Sequence, residues 1–165
     1  MAGELGLRYH RQQLIEDWDQ NKLKNARIAV IGTGQTASCA GATLAALGVG
    51  NITVLGNERA TDKYQFLLEE VGRTDSAAEA IAHRLKLINP LVEVMGINAP
   101  LDDVGLMMIE GSNAVVDTTN DTKSKKTCME FCKANKIQYI SSGYRCCSDR
   151  RDRIGLRGTP SGFRE

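Results

Sequence analysis

Aromatic residues are scarce. Phe, Trp and Tyr make up 5% of the chain, too few for the stacking platforms that hold single-stranded nucleic acid. Net charge of one sign is also missing: 21 Lys and Arg against 20 Asp and Glu leave a formal +1. No global field therefore draws the chain to nucleic acid or to an anionic lipid surface. No run approaches the ~18 apolar residues of a membrane span. The start of the chain, Met1 to His10, carries charges and lacks the apolar core of a secretory leader. Cysteine is present in an odd set, Cys39, Cys128, Cys132, Cys146 and Cys147, which predicts a reducing, cytoplasmic setting rather than a disulfide framework. Cys128 and Cys132 stand i,i+4 on a predicted helix, where a shared metal competes with simple packing. Packing is the preferred reading, because the adjacent Cys146-Cys147 is not the second pair of a tetrahedral zinc site.

What is there is ordinary for a globular protein: 42% hydrophobic and 25% charged residues over 165 positions, about one domain. Apolar residues at roughly helical spacing (Tyr9, Leu14, Ile15, Trp18, Leu23) predict an amphipathic arm and helix over 8–24. A short β-branched run at 28–31 predicts a buried strand, and 51–55, 92–97, 114–116 and 138–140 predict four more strands. Between them, helices are predicted over 38–47, 76–89, 102–110 and 123–135. Ser76 is placed to cap the second of these, and Asn89-Pro90 to stop it. Strands alternating with helices imply an α/β fold: a Rossmann-like, doubly wound, mainly parallel sheet with helices on both faces. The stretch 56–75 is polar and irregular. Residues 144–165 hold six arginines and three glycines without apolar periodicity, and predict a basic tail or loop.

Chemistry concentrates where the first strand ends. Gly32-x-Gly34-x-x-Ala37 falls between a strand and a helix, the place of a nucleotide fingerprint. The first glycine permits a tight turn, the second lets backbone approach phosphate, and the small Ala37 lets helix and strand pack. The helix N-terminus presents unpaired N–H groups and a positive dipole end to an anion. The residues in reach are Gly32, Gly34, Gln35 and Thr36. An acid after the second strand grips ribose hydroxyls in such sites; here Glu58 is the candidate, with Asn57 beside it. A tight turn that binds nothing, and an exposed loop charge at Glu58, are the plainer alternatives.

Several motifs in order resemble the ThiF/MoeB family of ubiquitin-activating-type adenylating enzymes. They are Arg8-Tyr-His-Arg-Gln12, Gly32-Thr-Gly-Gln-Thr-Ala-Ser38, Leu47-Gly-Val-Gly-Asn-Ile-Thr-Val54, Leu85-Lys-Leu-Ile-Asn-Pro90, Asp117-Thr-Thr-Asn-Asp121 and Ile140-Ser-Ser-Gly143. The resemblance implies a nucleotide-binding domain over 1–143, with an N-terminal arm at 1–25. It also implies ATP and Mg2+, attack of a carboxylate on the α-phosphate, and release of pyrophosphate. The carboxylate belongs to a small molecule or to the C-terminus of a ubiquitin-like carrier protein. A homodimer is implied in which Arg11 reaches the partner's ATP phosphates, as arginine fingers neutralise charge in other phosphate enzymes.

Departures from the pattern bear on activity. Gly56 stands where the family places an acid, Tyr64 where it has an arginine, and Ala77 near where it has a lysine. Lys63, Arg59 and Arg73 are the basic residues that could compensate. Asn120 falls on the magnesium aspartate, so Asp117 or Asp121 is expected to hold the metal, a carboxylate being the better ligand for a hard cation. Arg11, Asp121 and Arg73 are the catalytic candidates; Lys63, Asp117 and Asn120 complete the binding set. Two further readings follow: a catalytically inactive partner or scaffold that keeps the fold and Arg11, and, from the loop alone, an NAD-dependent oxidoreductase.

Overall fold

The computed structural model describes residues 7–60 and 75–142. After a single 3-10 turn at Gln12–Leu14 come α1 (Gln20–Asn25), β1 (Arg27–Ile31), α2 (Gln35–Leu47) and β2 (Asn51–Leu55). There follow α3 (Ala77–Ile88), β3 (Glu93–Ile97), α4 (Asp103–Met107), β4 (Ala114–Asp117), α5 (Thr122–Ala134) and β5 (Gln138–Ser141). The five strands form one sheet in the order β3-β2-β1-β4-β5, and every pairing is parallel. The chain winds outward from β1 in both directions, so the sheet reverses between β1 and β4. That switch point opens a crevice at the carboxyl ends of the strands.

Residues of the central strands β1 and β2 feed two cores, one on each face of the sheet. Val30, Ile52 and Val54 pack against Ala37 and Ala45 of α2 and Ile81 and Leu85 of α3. Ala29, Ile31 and Val115 pack on the other face with Leu106 of α4 and Cys128 and Cys132 of α5. Each fully buried Ile or Leu contributes about 1.5–3 kcal/mol of burial. The cysteine pair lies in the core beneath β4. The Cys128 thiol is pushed far up by its hydrogen bond to Cys132 and by burial, whereas that same bond lowers Cys132.

The arm departs from the expected helix over 8–24. Asp17 takes a left-handed φ of 63°, which interrupts a helix at a residue type that tolerates this region. Asp19 then starts afresh as the cap of α1, accepting from the N–H groups of Asn21 and Lys22. Leu14 and Ile15 stay exposed, so their apolar spacing marks no core face. Helix α2 begins at Gln35, three residues before the expected start, because Gly34 is its N-cap. Helix α4 ends at Met107, short of Glu110. Ser76 caps α3 by accepting from Glu79 N–H, as expected. Lys63, Tyr64, Arg73 and the basic stretch 144–165 lie outside the described residues.

The arm is fastened at the far end of the sheet. Asn89, fully buried, donates from Nδ2 to the Tyr9 hydroxyl and to Ala45 O, both at 2.6 Å. Arg8 donates to Ile88 O, and Gln20 to Leu47 O. The Tyr9 ring lies so close to Gly48 that a Cβ there would fall 2.6 Å from its Cζ. Cationic and amide donors thus meet the carbonyl ends of α2 and α3, which favour them electrostatically.

Candidate functional site

Strand β1 turns into α2 through Gly32-Thr33-Gly34, at the switch point. Gly32 has φ +102°, and a Cβ on it would meet Thr118 Oγ1 at 2.6 Å. Fold geometry alone demands glycine there. Gly34 is different: its φ is −75°, and a Cβ on it would meet nothing within 4 Å. It caps α2 without a side-chain acceptor. The first helical bond runs from Ser38 N–H to Gly34 O, so the amides of Gln35, Thr36 and Ala37 precede the hydrogen-bonded ladder. Such amides at the positive end of a 13-residue helix are the arrangement that can hold an anion. Thr36 also lines an open, mostly apolar groove of about 400 Å³ with Cys39, Ala40, Thr43, Leu44 and Val116.

Glu58 joins the loop through a tertiary bond. Thr33 Oγ1 donates to Glu58 Oε2 at 2.6 Å, and Ala77 N–H donates to Glu58 O at 3.1 Å. Gly32, Gly34, Gln35, Thr36 and Glu58 are therefore gathered around the turn, with Asn57 exposed next to Glu58. Ala77 is wholly buried, so its place carries no basic side chain toward the crevice.

Asp117 and Asp121 occupy contrasting places. Asp117 is fully buried. Its Oδ1 accepts from Thr119 N–H at 2.8 Å and Thr119 Oγ1 at 2.7 Å, and lies 3.6 Å from Lys125 Nζ. Its Oδ2 accepts from the Tyr139 hydroxyl at 2.7 Å. Burial, and then the bond to Asp117, push the Tyr139 phenol above its usual range. Lys125 also donates to Ser141 Oγ and Ser142 O. This network holds residues 118–119 against Gly32. Asp121 is exposed and caps α5, its Oδ2 accepting from Ser124 N–H at 2.7 Å; the Ser124 hydroxyl, and then that N–H, hold its carboxyl below the usual carboxylate range. Asn120 is exposed beside it. Among the described residues no group of three or more His, Cys, Asp and Glu is arranged to hold a metal.

Arg11 is exposed at the start of the 3-10 turn, two residues from Tyr9. Helix α2 has 13 residues, and at 1.5 Å per residue it separates the Tyr9 seat from Gly34 by about 20 Å. Two residues of chain span at most about 7 Å, so Arg11 sits at the opposite end of the sheet from its own loop. Sequence reasoning missed Thr33, Thr119, Lys125 and Tyr139. Their signals were weak: a threonine inside the glycine motif, and polar residues on elements whose adjacency only the strand order reveals.

The importance of the enclosed acid is measurable. Asp117→Asn keeps an acceptor for Thr119 but removes the charge facing Lys125 and sets an amide against Tyr139. We expect a loss of about 2 kcal/mol, or a Tm lower by about 4–8 °C, by thermal denaturation. An unchanged Tm would mean that the network adds nothing to the fold.

Fold and loop together define a doubly wound α/β domain that presents the N-terminus of α2 at the switch point of its parallel sheet. The ThiF family model matches residues 8–150, and the chain belongs to the ThiF family. The molybdopterin-synthase adenylyltransferase of Salmonella typhimurium is 30% identical over 142 residues, 82% of this chain and 57% of the relative. The tRNA threonylcarbamoyladenosine dehydratase of Escherichia coli is 29% identical over 126 residues, 72% of this chain and 46% of that protein. A crystal structure of the E. coli dehydratase in complex with ATP superposes with a TM-score of 0.71 at 25% identity, covering 84% of this chain and 58% of that one. The chain spans a little over half the length of the adenylyltransferase it matches. No helix among the described residues is long and apolar enough to cross a membrane.

Proposed function

We propose that this chain binds ATP at the β1–α2 turn and uses it to activate a carboxylate as an acyl adenylate. The carrying observation is the loop itself. Free amides at Gln35 and Thr36 and an open Gly34 face the crevice, and Glu58 is tethered to the same turn. Relatives named adenylyltransferases, and a neighbour solved with ATP, support the reading. In the reaction an oxygen of the substrate carboxylate bonds to the α-phosphorus. The bond from that phosphorus to the bridging oxygen breaks, and pyrophosphate leaves with the electron pair. The amides hold phosphate oxygens while Glu58 accepts from the ribose.

Magnesium, where bound, would neutralise charge on the triphosphate. Asp117 does not fit as its ligand, because both its oxygens are bonded inside the protein and closed to solvent. Asp121 fits: it is an exposed carboxylate, and the capping bond from Ser124 N–H engages its Oδ2. The position of Arg11, far from its own loop, supports a homodimer in which each arginine serves the other subunit. The apolar strip beside α2, with Val116 in the groove and Ile140 exposed, offers area for such contact. The substrate is a small-molecule carboxylate or the C-terminus of a carrier protein.

A second reading, an inactive partner subunit, is favoured by one observation: Asn120 and the buried Ala77 leave the crevice without the expected aspartate and lysine. Calorimetry with ATP and magnesium, followed by ATP–pyrophosphate exchange over a panel of carboxylates, separates the two. Micromolar binding with exchange is the expected result. Absence of ATP binding at millimolar nucleotide would remove the enzyme reading; binding and exchange by the isolated chain would remove the partner reading.

A further inference from the structure

Thr33 sits between the two loop glycines and is 1% exposed, a place where a hydroxyl is expected to be bonded. Its Oγ1 donates to Glu58 Oε2 at 2.6 Å, across 25 residues of sequence. Its Cγ2 fills the space beside Gly56, where a Cβ would come within 2.7 Å of it. The two contacts are linked. Gly56 directly follows β2, the usual station of a ribose-binding acid, and Thr33 closes that station to any side chain. The same threonine fastens the acid that stands two residues later. Glu58 is held at its backbone as well: its carbonyl accepts from Ala77 N–H, and the neighbouring Arg59 bridges Ser76.

An exposed glutamate that moves freely loses rotamer entropy when it captures a ligand. Here that entropy is already spent, since Thr33 holds Oε2. Among the described residues Thr33 is the one hydrogen-bond partner of that carboxylate, which leaves Oε1 for the ligand. We propose that Thr33 is a positioning residue that aims Glu58 at the ribose hydroxyls of ATP, and so sets the preference of this site for ribonucleotides over deoxyribonucleotides. The proposal rests on the ATP reading above. It goes beyond that reading by assigning sugar selection to a Thr33–Gly56–Glu58 unit.

Calorimetry of the full chain with ATP, 2′,3′-dideoxy-ATP and tripolyphosphate tests it, alongside Thr33→Val, Thr33→Ser and Glu58→Gln. Valine keeps the branched shape beside Gly56 and puts a methyl in place of the hydroxyl that holds Glu58. For the unaltered chain we expect ATP to bind about ten- to a hundredfold more tightly than the dideoxy nucleotide, the worth of a hydrogen bond to a charged group. In Thr33→Val that preference should shrink to about threefold or less, with tripolyphosphate affinity unchanged, because the amides are untouched. Thr33→Ser should keep it. Glu58→Gln should lose it, and adding Thr33→Val to Glu58→Gln should change nothing more. Melting curves establish that each variant is folded; if Thr33→Val is not, Glu58→Gln, with its exposed side chain, reads the same preference. A full preference in Thr33→Val or in Glu58→Gln overturns the proposal and leaves the ATP reading intact. Equal affinity of the unaltered chain for ATP and its dideoxy analogue does the same. Failure of the unaltered chain to bind ATP overturns the ATP reading itself, and the proposal with it.

Discussion

Gly34→Asp is expected to leave the protein as stable as before, or more stable, and to weaken ATP binding by about a hundredfold or more. The stability half follows from geometry. Gly34 has an ordinary negative φ, and nothing lies within 4 Å of its missing Cβ. It is the N-cap of α2 and offers no side-chain acceptor, while aspartate is among the best N-cap residues, a few tenths of a kcal/mol or more above glycine. The binding half follows from competition. The new carboxylate would accept the amides that the phosphate needs, and it would set negative charge against negative charge. Each charge-assisted bond lost is worth about 1.5–3 kcal/mol, so two of them give the hundredfold. Calorimetry with ATP and a melting curve on the same sample are sufficient. A protein that gains stability and still binds ATP normally would show that the turn holds no phosphate. Gly32 is the internal contrast: at φ +102° with Thr118 against it, any side chain strains the fold, and a loss of binding there would say nothing about the ligand.

The distinction between these two glycines marks the limit of what the sequence makes legible. Both stand in one motif, and their positions between a β-branched run and a small-residue helix suffice to place the loop. The central strand is visible for a related reason: Ala29 to Ile31 are buried in succession, so the apolar run there is continuous. Ser76 is readable because capping is local, a bond to a residue three positions on. What depends on strand order is hidden. Asp117 and Tyr139 are 22 residues apart and meet only because β4 pairs with β5. An acid in a polar motif therefore reads as a metal ligand until the sheet encloses it. Thr33 and Glu58 meet because β1 pairs with β2, and position 33 looks like a spacer until then. The arm misleads in the opposite sense: Leu14 and Ile15 repeat with helical spacing yet face solvent, because a turn at Asp17 and a new cap at Asp19 override the pattern.

Arg11→Ala is expected to lower the rate of ATP–pyrophosphate exchange by about a thousandfold or more, the effect of an arginine finger in other phosphate enzymes, with little change in the affinity for ATP alone. The structure sharpens this into a test of where the arginine acts. Tyr9, bonded to Asn89 and seated on Gly48, fixes the arm at the C-terminal end of α2, about 20 Å along the helix from its own loop. Folding back to that loop would mean giving up the Arg8 and Tyr9 bonds together. An arginine acting on the partner keeps both. Mixing Arg11→Ala with Gly34→Asp distinguishes the two, because each variant alone lacks one half of the site. In a symmetric dimer that exchanges subunits, half of an equal mixture is hybrid, and each hybrid carries one intact pairing of loop and arginine. Exchange should then recover to about a quarter of the unaltered rate, the share of complete sites in that mixture. Recovery that rises with the mixing ratio to a maximum near equality places Arg11 in trans. A mixture no more active than its components, in a preparation that sedimentation shows to be dimeric, places the arginine on its own subunit and makes the anchored arm a structural feature only.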